Sequence, residues 1–528
     1  MMHRRTAPLI VVAIGALLAL PLTAQFADTE KLDLDAVYRI KDEGLQRSKV
    51  MEITSYLTDV YGPRLTGSPE IKEAADWAQK TMKEWGLANV RTEAWEFGRG
   101  WQNRRFVALA LTPRAYPLIG FPKAWSPGTN GPVTGEAIIA AIQNEQDFNK
   151  WRGKLRGKFV LSTPMRPVAA RFDPLGRRFS DTELDNLSKQ PAAAGRGRGA
   201  PPAGGPVNVA DFQRKRTQFF VDEGVAALLE PSGTGDGGTY FVQSAGNALR
   251  DPKQPLPAPQ VVLAAEHYGR LMRTVEKNIP VTLQMDIDNK FFDTDLNSYN
   301  IVGELPGTDK ADELVMVGAH FDSWHSGTGA TDNAAGSAVM MEAMRILKVT
   351  GVKLRRTVRI ALWTGEEEGL LGSAAYVKQH FADRQTMQLK PEHAKLSGYF
   401  NVDNGTGAIR GVYLQGNEAI APIFRSWMEP FRNLGMTTLA IRNTGGTDHL
   451  SYDQVGLPGF QFIQDPVEYD SRTHHSNQDV YERIQPDDMM RNAVIVASFV
   501  YHAANRDTKL PRKPLPMPQP PAGRGVAN

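Results

Sequence analysis

The chain has 528 residues, of which 41% are hydrophobic and 23% are charged, and it contains no cysteine. The length predicts more than one folded unit, and the apolar share is sufficient for a sizeable core. The lack of cysteine excludes disulfides, thiol catalysis and thiolate metal ligands, so any metal site must consist of His, Asp and Glu. The formal net charge of +3 gives no electrostatic reason to expect a nucleic acid as partner.

The N-terminus has the three parts of a secretory signal. Arg4 and Arg5 precede an apolar run from about residue 7 to residue 22, and Ala24 offers a cleavage point, so residues 1–24 are predicted to be a signal peptide that is removed. A retained membrane anchor is the alternative, but the run is shorter than the ~20 residues that a spanning helix needs. We therefore expect a secreted or periplasmic protein that does not associate with a membrane after cleavage.

The first half of the chain changes its pattern near residue 120. The segments "LDAVYRIKDEGLQRSKVMEITSYLTDVYG" and "PEIKEAADWAQKTMKEWGL" have apolar residues at helical spacing, and "YGPRLTGSPE" between them predicts a turn. From residue 121 to residue 290, short apolar segments such as "GKFVLST" and "APQVVLAA" alternate with Gly and Pro, which predicts a separate, smaller domain rich in β-structure. Within it, residues 188–208 have low complexity and are predicted to be a disordered loop.

Strands and helices alternate after residue 295. The apolar segments "ELVMVGAHFDS", "TVRIALWTGEEEG", "LSGYFNVDNG" and "LPGFQFIQDP" are predicted strands, and amphipathic segments such as "NAAGSAVMMEAMRILKVTG" separate them. This alternation predicts an α/β layered fold with a mostly parallel central sheet. Residues 509–528 are rich in proline and are predicted to be a disordered tail.

Potential metal ligands follow several of the predicted strands. Ligands of open α/β sheets bind at the carboxyl ends of the strands, where the sequence places His320, Asp322, Asp332, Glu366, Glu367, Asp403, His474 and His475. Each residue alone has an ordinary structural explanation, such as a surface pair, a helix N-cap or a solvated charge. Their joint occurrence at one edge of the sheet favours a metal site.

The number of donors is sufficient for two metal ions. Two His, two Asp and one Glu can hold a pair of ions ~3.5–4 Å apart when one carboxylate is shared. Glu366 is then left over beside the site, where a carboxylate can act as a general base. The sequence therefore predicts a metal-dependent hydrolase.

These motifs resemble those of the co-catalytic zinc exopeptidases, which include secreted bacterial aminopeptidases, glutamate carboxypeptidase and carboxypeptidase Q. The resemblance is carried by "YGPRLTGSPE", "HFDSWHSGTGATDNAAG", "LWTGEEEGLLGSAAYV", "NVDNG" and "HHSNQDVYE". It implies a three-layer catalytic domain formed by residues 28–120 and 295–508. It also implies that residues 121–290 are an inserted protease-associated domain and that the protein binds two Zn²⁺ ions.

The resemblance also implies how the ligands are shared between the two ions. His320 and Asp403 are expected to bind one zinc, and Glu367 and His475 are expected to bind the other. Asp332 is expected to bridge the two ions.

Further roles follow from the same resemblance. Glu366 is expected to be the general base, and Asp322 and Asp479 are expected to orient the imidazoles of the two ligand histidines. Glu368 has no counterpart with a role and is expected to be a surface charge. His474 stands where many aminopeptidases have a tyrosine that stabilises the oxyanion, so it is a candidate catalytic residue with a packed or surface histidine as the alternative. His449 is a candidate substrate contact, and a hydrogen-bonded loop histidine is the alternative.

The expected reaction is hydrolysis of a peptide bond near one end of a peptide or dipeptide. The motif loops contain no basic cluster that would bind a terminal carboxylate, so an aminopeptidase or dipeptidase is favoured over a carboxypeptidase. Two other functions stay open: a glutaminyl cyclase, which shares this fold and has one zinc, and a non-catalytic receptor-like homologue, although all five ligands and the base are present. The inserted domain could cover the cleft, limit substrate size or support a homodimer.

Overall fold

The structure is a computed structural model that describes residues 30–192 and 207–518. The predicted signal peptide, residues 1–24, lies outside the described residues, as does most of the predicted disordered loop. The helices are α1 (Leu34–Gln46), α2 (Val50–Ser55), α3 (Pro69–Glu84), α4 (Glu145–Trp151), α5 (Asp181–Ser188), α6 (Val207–Glu223), α7 (Ala265–Val275), α8 (Ala335–Val349), α9 (Leu371–His380), α10 (Ala421–Met428), α11 (His449–Asp453) and α12 (Pro486–Asn505). Short 3₁₀ or π turns occur at Tyr56–Val60, Asn247–Arg250, Ala330–Ala334, Pro391–Ala394, Glu418–Ile420, Glu429–Leu434, Tyr469–Thr473 and Tyr481–Arg483.

The strands form two large sheets and one small hairpin. The strands are β1 (Ala88–Glu96), β2 (Gly100–Ala110), β3 (Tyr116–Pro117), β4 (Gly120–Pro122), β5 (Val133–Ile139), β6 (Phe159–Leu161), β7 (Ala227–Pro231), β8 (Gln260–Leu263), β9 (Thr282–Phe292), β10 (Asn297–Leu305), β11 (Lys310–His320), β12 (Arg356–Trp363), β13 (Ala382–Asp383), β14 (Gln388–Leu389), β15 (Leu396–Asn401), β16 (Ile409–Tyr413), β17 (Thr438–Ala440) and β18 (Gly459–Gln464).

The first sheet is the centre of a three-layer unit. Its strand order is β1-β10-β12-β11-β15-β18-β16-β17, and the four central strands β12, β11, β15 and β18 run parallel. Helices α1, α2, α8 and α12 cover one face in a single apolar core, and α9 and α11 cover the other face around Trp363, Tyr399 and Tyr452. Parallel strands covered on both faces read as continuous apolar runs, as the segment Leu314–Ala319 of β11 does. The predicted α/β fold is confirmed.

The second sheet forms a smaller unit. Its order is β3-β2-β9-β5-β6-β7-β8-β4, with parallel pairing only among β5, β6, β7 and β8, and its core lies against α7. We call residues 100–292 the second unit and the remainder the peptidase unit. Because β2 begins at Gly100, the second unit starts before the boundary at residue 121 that the sequence pattern suggested. In β2 the polar residues 102–105 precede the apolar residues 106–110, a pattern that composition alone did not separate from the preceding helices.

The turn "YGPRLTGSPE" connects the first helices with the strand ends of the central sheet. The side chain of Arg64 is fully buried and donates hydrogen bonds to the carbonyl oxygens of Leu57, Phe321, Thr328 and Gly329, at 2.6–3.0 Å. Ser68 caps α3 by accepting a hydrogen bond from Ile71 N. Arg64 therefore holds the backbone on both sides of residue 325, at Phe321 and at Thr328–Gly329.

The segment after α12 is ordered in part. Leu510 is buried in the core of the peptidase unit, and Arg512 donates to the carbonyl oxygens of His393 and Leu396 at 2.8 and 2.6 Å. The prediction of disorder does not hold for residues 509–518, because proline-rich composition does not reveal the contacts that a tail can make with a finished core. Residues 519–528 lie outside the described residues. Among the residues that the structure describes, no helix is both long enough and apolar enough to cross a bilayer.

Candidate metal centre

The predicted ligands lie at the carboxyl ends of neighbouring parallel strands. His320 is the last residue of β11, the turn with Glu366 and Glu367 follows β12, and Asp403 lies two residues beyond β15. Asp332 lies in the turn before α8, and the loop after β18 carries His475. A single edge of the sheet thus brings together the residues that the sequence analysis proposed as ligands.

Asp332 stands between two groups of donor atoms. Its Oδ1 is 3.1 Å from His320 Nε2, which is also 3.2 Å from Asp403 Oδ1. Its Oδ2 is 3.2 Å from His475 Nε2, which is 2.9 Å from Glu367 Oε2. The carboxylate therefore presents one oxygen to each histidine. The peptide bond that follows it, Asp332–Asn333, is cis.

The donor set fits zinc. Imidazole nitrogens and carboxylate oxygens are common zinc ligands, and the donor atoms of His320, Asp332 and Glu367 lie within 4.8 Å of one another, as do those of Asp332, His474 and His475. Glu367 Oε1 is buried without a hydrogen-bond partner among the described residues. A buried carboxylate oxygen without a partner is unfavourable unless a cation binds it.

The charges of the site also favour a cation. Burial raises the pKa of Glu366 well above its usual range, and burial with the nearby Asp332 charge raises the pKa of Glu367 to about 7. Burial lowers the pKa of His475, but the Glu367 and Asp332 carboxylates outweigh it and raise that pKa to about 10. Bound cations would favour ionised carboxylates and neutral imidazoles here. The protein thus holds several carboxylates in a place with little water.

Asp322 connects the first imidazole with the turn that carries the glutamates. His320 Nδ1 is 3.1 Å from the Asp322 carbonyl oxygen and 3.6 Å from its Oδ1. The Asp322 carboxylate accepts hydrogen bonds from the backbone N–H groups of Glu366 and Glu367, at 3.3 and 3.2 Å. It is fully buried. The hydrogen-bond contact of His320 is thus with the backbone carbonyl of Asp322, while the carboxylate holds the glutamate turn; that the carboxylate orients His320 stays a prediction.

Asp479 lies elsewhere than the sequence analysis expected. Its carboxylate accepts hydrogen bonds from Thr331 N, Thr331 Oγ1 and Asp332 N, at 2.6, 2.7 and 3.2 Å. It therefore holds the backbone of Asp332. The outer nitrogen of His475, Nδ1, is instead 2.9 Å from Gln243 Nε2 of the second unit. Sequence spacing could not reveal this partner because it lies more than two hundred residues away in the chain.

Comparisons with known proteins agree with this arrangement. Residues 300–500 match the sequence profile of Peptidase family M28. Carboxypeptidase Q of Mus musculus is 24% identical over 491 residues, which cover 93% of this chain and 92% of the relative. The part of the chain that is similar to this family, residues 300–500, contains all five proposed ligands and Glu366. Aminopeptidase YwaD of Bacillus subtilis is 30% identical over 223 residues, which cover 41% of this chain and 47% of that protein.

Two solved structures share the fold of this chain. A peptidase M28 precursor from Shewanella amazonensis has a TM-score of 0.63 and 23% identity, and the match covers 92% of this chain and 98% of that one. The zinc aminopeptidase BSAP from Bacillus subtilis has a TM-score of 0.55 and 19% identity, with 87% and 95% coverage. Both matches span most of this chain and nearly the whole of those chains.

His474 lies beside the donor atoms around Asp332, and with Asp332 and His475 it forms one of the two groups whose donor atoms are close enough to hold a metal ion. Its Nε2 is 3.7 Å from Asp332 Oδ2, and its ring stacks between those of Tyr469 and His475, with centroids 4.7 and 3.7 Å away. The hydroxyl of Tyr469 donates to Asp332 Oδ1 at 3.1 Å. Sequence reasoning missed Tyr469, because a tyrosine in a polar loop carries no recognisable spacing.

His449 and its neighbour Asp448 are both fully buried. His449 Nε2 lies 2.9 Å from Gln415 Nε2 and 3.2 Å from the Thr444 carbonyl oxygen, and burial lowers the pKa of His449 to about 4. These contacts describe a hydrogen-bonded loop histidine. Burial raises the pKa of Asp448 to about 7, and His320, Asp403 and Glu366 are close enough to interact with its charge. Asp448 is a second residue near the site that the sequence analysis overlooked.

Glu368 corrects one expectation. It was expected to be a surface charge, but its side chain is buried and burial raises its pKa well above its usual range. Arg250 of the second unit is close enough to oppose that shift. Three consecutive glutamates look like a solvated run in the sequence, but the third lies near Thr66 and Asp322 of the peptidase unit as well as Arg250.

A cavity of about 420 Å³ opens beside the site, between the two units. His474, His475 and Asp470 line it from the peptidase unit, and the second unit contributes Lys123, Glu230, Thr234, Phe241, Val242, Gln243, Ser244 and Val262. Lys123 and Glu230 form an ion pair in its wall. The second unit therefore forms one side of the space next to the candidate metal centre.

Proposed function

We propose that the protein is a two-zinc exopeptidase that hydrolyses peptide bonds at the amino end of peptides or within dipeptides. The observation that carries the proposal is the position of Asp332, with one carboxylate oxygen near His320 and the other near His475. Such a carboxylate can be shared by two ions. His320 and Asp403 would hold one zinc, and Glu367 and His475 would hold the other.

The side chains around the ligands would perform the proton transfers. Zinc, when bound, supplies Lewis-acid polarisation of the scissile carbonyl and makes a bound water more acidic. Glu366 would accept the proton of the attacking water at its carboxylate and then donate it to the departing amine. Asp322 supports this role because it accepts the backbone N–H of Glu366. His474 is positioned beside the site, where it could donate a hydrogen bond to the oxyanion.

The charges along the cavity favour recognition of a free amino group. Among the described residues that line it, the one lysine is Lys123, and its charge is paired with Glu230. Asp470 is a further acidic residue of the lining, which therefore has two carboxylates, Glu230 and Asp470, and one ammonium group apart from the proposed metal ligands. A substrate ammonium fits this environment better than a terminal carboxylate does. These features support an aminopeptidase or dipeptidase over a carboxypeptidase.

A substrate panel on zinc-loaded protein tests the proposal. Unblocked dipeptides and aminoacyl amides should be cleaved, and the same compounds with an acetylated amino group should not. Cleavage of acetylated dipeptides together with failure on aminoacyl amides would instead establish a carboxypeptidase. Release of cyclised product from an amino-terminal glutamine would establish a cyclase.

Matched variants test the residue roles. Glu366→Gln should keep its zinc and lose about 10²–10⁴-fold in kcat, whereas Glu367→Gln should lose zinc because a ligand is removed. Glu276→Gln changes an exposed glutamate at the C-cap of α7 and serves as the control. Normal turnover by Glu366→Gln would refute its assignment as the base.

We further propose that the protein is exported, since its first residues have the composition of a signal peptide. Sequencing the N-terminus of the mature protein from a secreting host tests this, and a terminus immediately after Ala24 is expected. An intact N-terminus would contradict it. A homodimer stays a prediction that sedimentation can test.

A further inference from the structure

The second unit contacts the loop that carries His475 through its backbone. Phe241 and Ser476 form an antiparallel β-bridge, and Val242 N donates to the His475 carbonyl oxygen at 3.3 Å. Asn477 N donates to the Tyr240 carbonyl oxygen at 3.2 Å. The loop between β18 and α12 is therefore held on one side by residues of the second unit.

The next side chain of the same segment reaches the imidazole of His475. Gln243 Nε2 lies 2.9 Å from His475 Nδ1, and the opposite nitrogen of the ring, Nε2, lies near Glu367 Oε2 and Asp332 Oδ2. The ring is thus placed between the second unit and the donor group of the peptidase unit. Its inner nitrogen is the one that can bind a cation.

The tautomer of a metal-binding imidazole determines whether Gln243 must offer a hydrogen-bond donor or an acceptor to His475 Nδ1. A neutral imidazole that binds a cation through Nε2 carries its proton on Nδ1, so Nδ1 is a hydrogen-bond donor. Its partner must then be an acceptor, which in Gln243 is Oε1. A half-turn of the side-chain amide exchanges Nε2 and Oε1 at the same position, since the two ends of an amide have nearly the same shape. The observed contact becomes an Nδ1–H to Oε1 hydrogen bond without movement of the chain.

The two candidate ligand histidines differ in this respect. His320 Nδ1 contacts the carbonyl oxygen of Asp322 in the same loop, and a carboxylate oxygen of Asp322 lies 3.6 Å away. His475 Nδ1 contacts a neutral amide that belongs to another folded unit. We propose that Gln243 is a positioning residue of the metal centre, which fixes the tautomer and the ring orientation of His475 and makes the second unit part of the zinc site of Glu367 and His475. The proposal rests on the proposed function only for the identity of the cation.

Zinc release measures this role without any substrate. Zinc-loaded wild type, Gln243→Leu and Gln243→Glu are mixed with excess chelator, and the amplitude and rate of each release phase are recorded. Gln243→Leu keeps the size of the side chain but has no acceptor, so one of the two zinc ions should bind roughly 10–100-fold more weakly, while the other is unchanged. Gln243→Glu offers a carboxylate acceptor and should restore tight binding of both ions.

The controls separate positioning from a general disturbance. Gln254→Leu changes an exposed glutamine of the second unit and should release zinc as wild type does. The backbone hydrogen bonds of Tyr240 and Val242 remain in Gln243→Leu, so its urea unfolding should match that of wild type. Wild-type release by Gln243→Leu, or equal weakening of both ions, would overturn the proposal. A protein that cleaves no peptide but shows the selective loss would contradict the proposed function and leave the role of Gln243 standing.

Discussion

Replacing Thr66 with valine tests how the first turn supports the metal centre. The hydroxyl of Thr66 is fully buried, donates to Asp322 Oδ2 at 3.0 Å and accepts from Gly365 N at 2.9 Å. The same Asp322 carboxylate accepts the backbone N–H groups of Glu366 and Glu367. One hydroxyl therefore joins the turn "YGPRLTGSPE" to the predicted base and its neighbouring ligand.

The magnitude follows from what valine leaves behind. Valine has nearly the same shape as threonine, so the change removes two hydrogen bonds and creates no large cavity. A buried N–H without a partner costs about 1–3 kcal/mol, and a hydrogen bond to a charged group contributes about 1.5–3 kcal/mol. Thr66→Val should lower the free energy of unfolding by about 3–5 kcal/mol. Thr66→Ser keeps the hydroxyl, loses one buried methyl group and should cost only about 1 kcal/mol.

Urea unfolding followed by tryptophan fluorescence, with zinc content measured on the same samples, is the assay. Thr66→Val should unfold at clearly lower urea than Thr66→Ser and should show reduced kcat, because the turn with Glu366 loses a support. If the two variants have the same midpoint, or if Thr66→Val stays within 1 kcal/mol of wild type, the hydroxyl does not have the role that its contacts indicate.

Three further variants probe separate parts of the account. Gly329→Ala should destabilise the protein by about 2–4 kcal/mol and reduce zinc content, because φ is 66° there and a Cβ would overlap Ser323; wild-type melting would contradict this. Asp479→Ala should weaken zinc binding roughly 10–100-fold in a chelator competition, because the backbone N–H of Asp332 loses the carboxylate that accepts its hydrogen bond. Unchanged zinc binding would show that Asp479 does not support Asp332. Burial lowers the pKa of His380, but Glu392 and Glu93 outweigh it and raise that pKa to about 9, above the unfolded value of 6.5. The ion pairs of His380 therefore stabilise the folded protein fully below pH 6.5 and lose their effect as pH rises through 9. His380→Gln should lower the free energy of unfolding by on the order of 1–2 kcal/mol at pH 6 and by almost nothing at pH 10. If the free energies of unfolding of wild type and variant differ by the same amount at both pH values, the assignment is refuted.

The sequence predicts the positions of those site residues that directly follow, or end, a parallel strand of the central sheet. His320, Glu366, Glu367 and Asp403 follow strands that run parallel, so their position after an apolar run is enough to place them at one edge. The bridging geometry of Asp332 was expected only from the resemblance, because a turn before a helix gives no distance to another strand.

Contacts between the two units could not be predicted from the sequence. Gln243 lies near His475, and Arg250 lies near Glu368, through the docking of one unit on the other. Such contacts join residues that are far apart in the chain and follow no periodicity. The partner of His475 was missed for this reason. Asp479 illustrates a related limit, since its spacing from His475 suggested a contact that the loop geometry directs to Thr331 instead.

The number of zinc ions bound per chain decides whether Asp332 is shared by two ions. Wild type and Asp332→Ala are saturated with zinc and freed of excess metal, and the zinc content per chain is measured by elemental mass spectrometry. Peptidase activity is recorded on the same samples. An active wild-type chain should contain two zinc ions, and Asp332→Ala should contain fewer than two because it lacks the carboxylate between His320 and His475. A wild-type chain that is fully active with one zinc or none, or an Asp332→Ala variant that keeps both ions, would contradict this prediction.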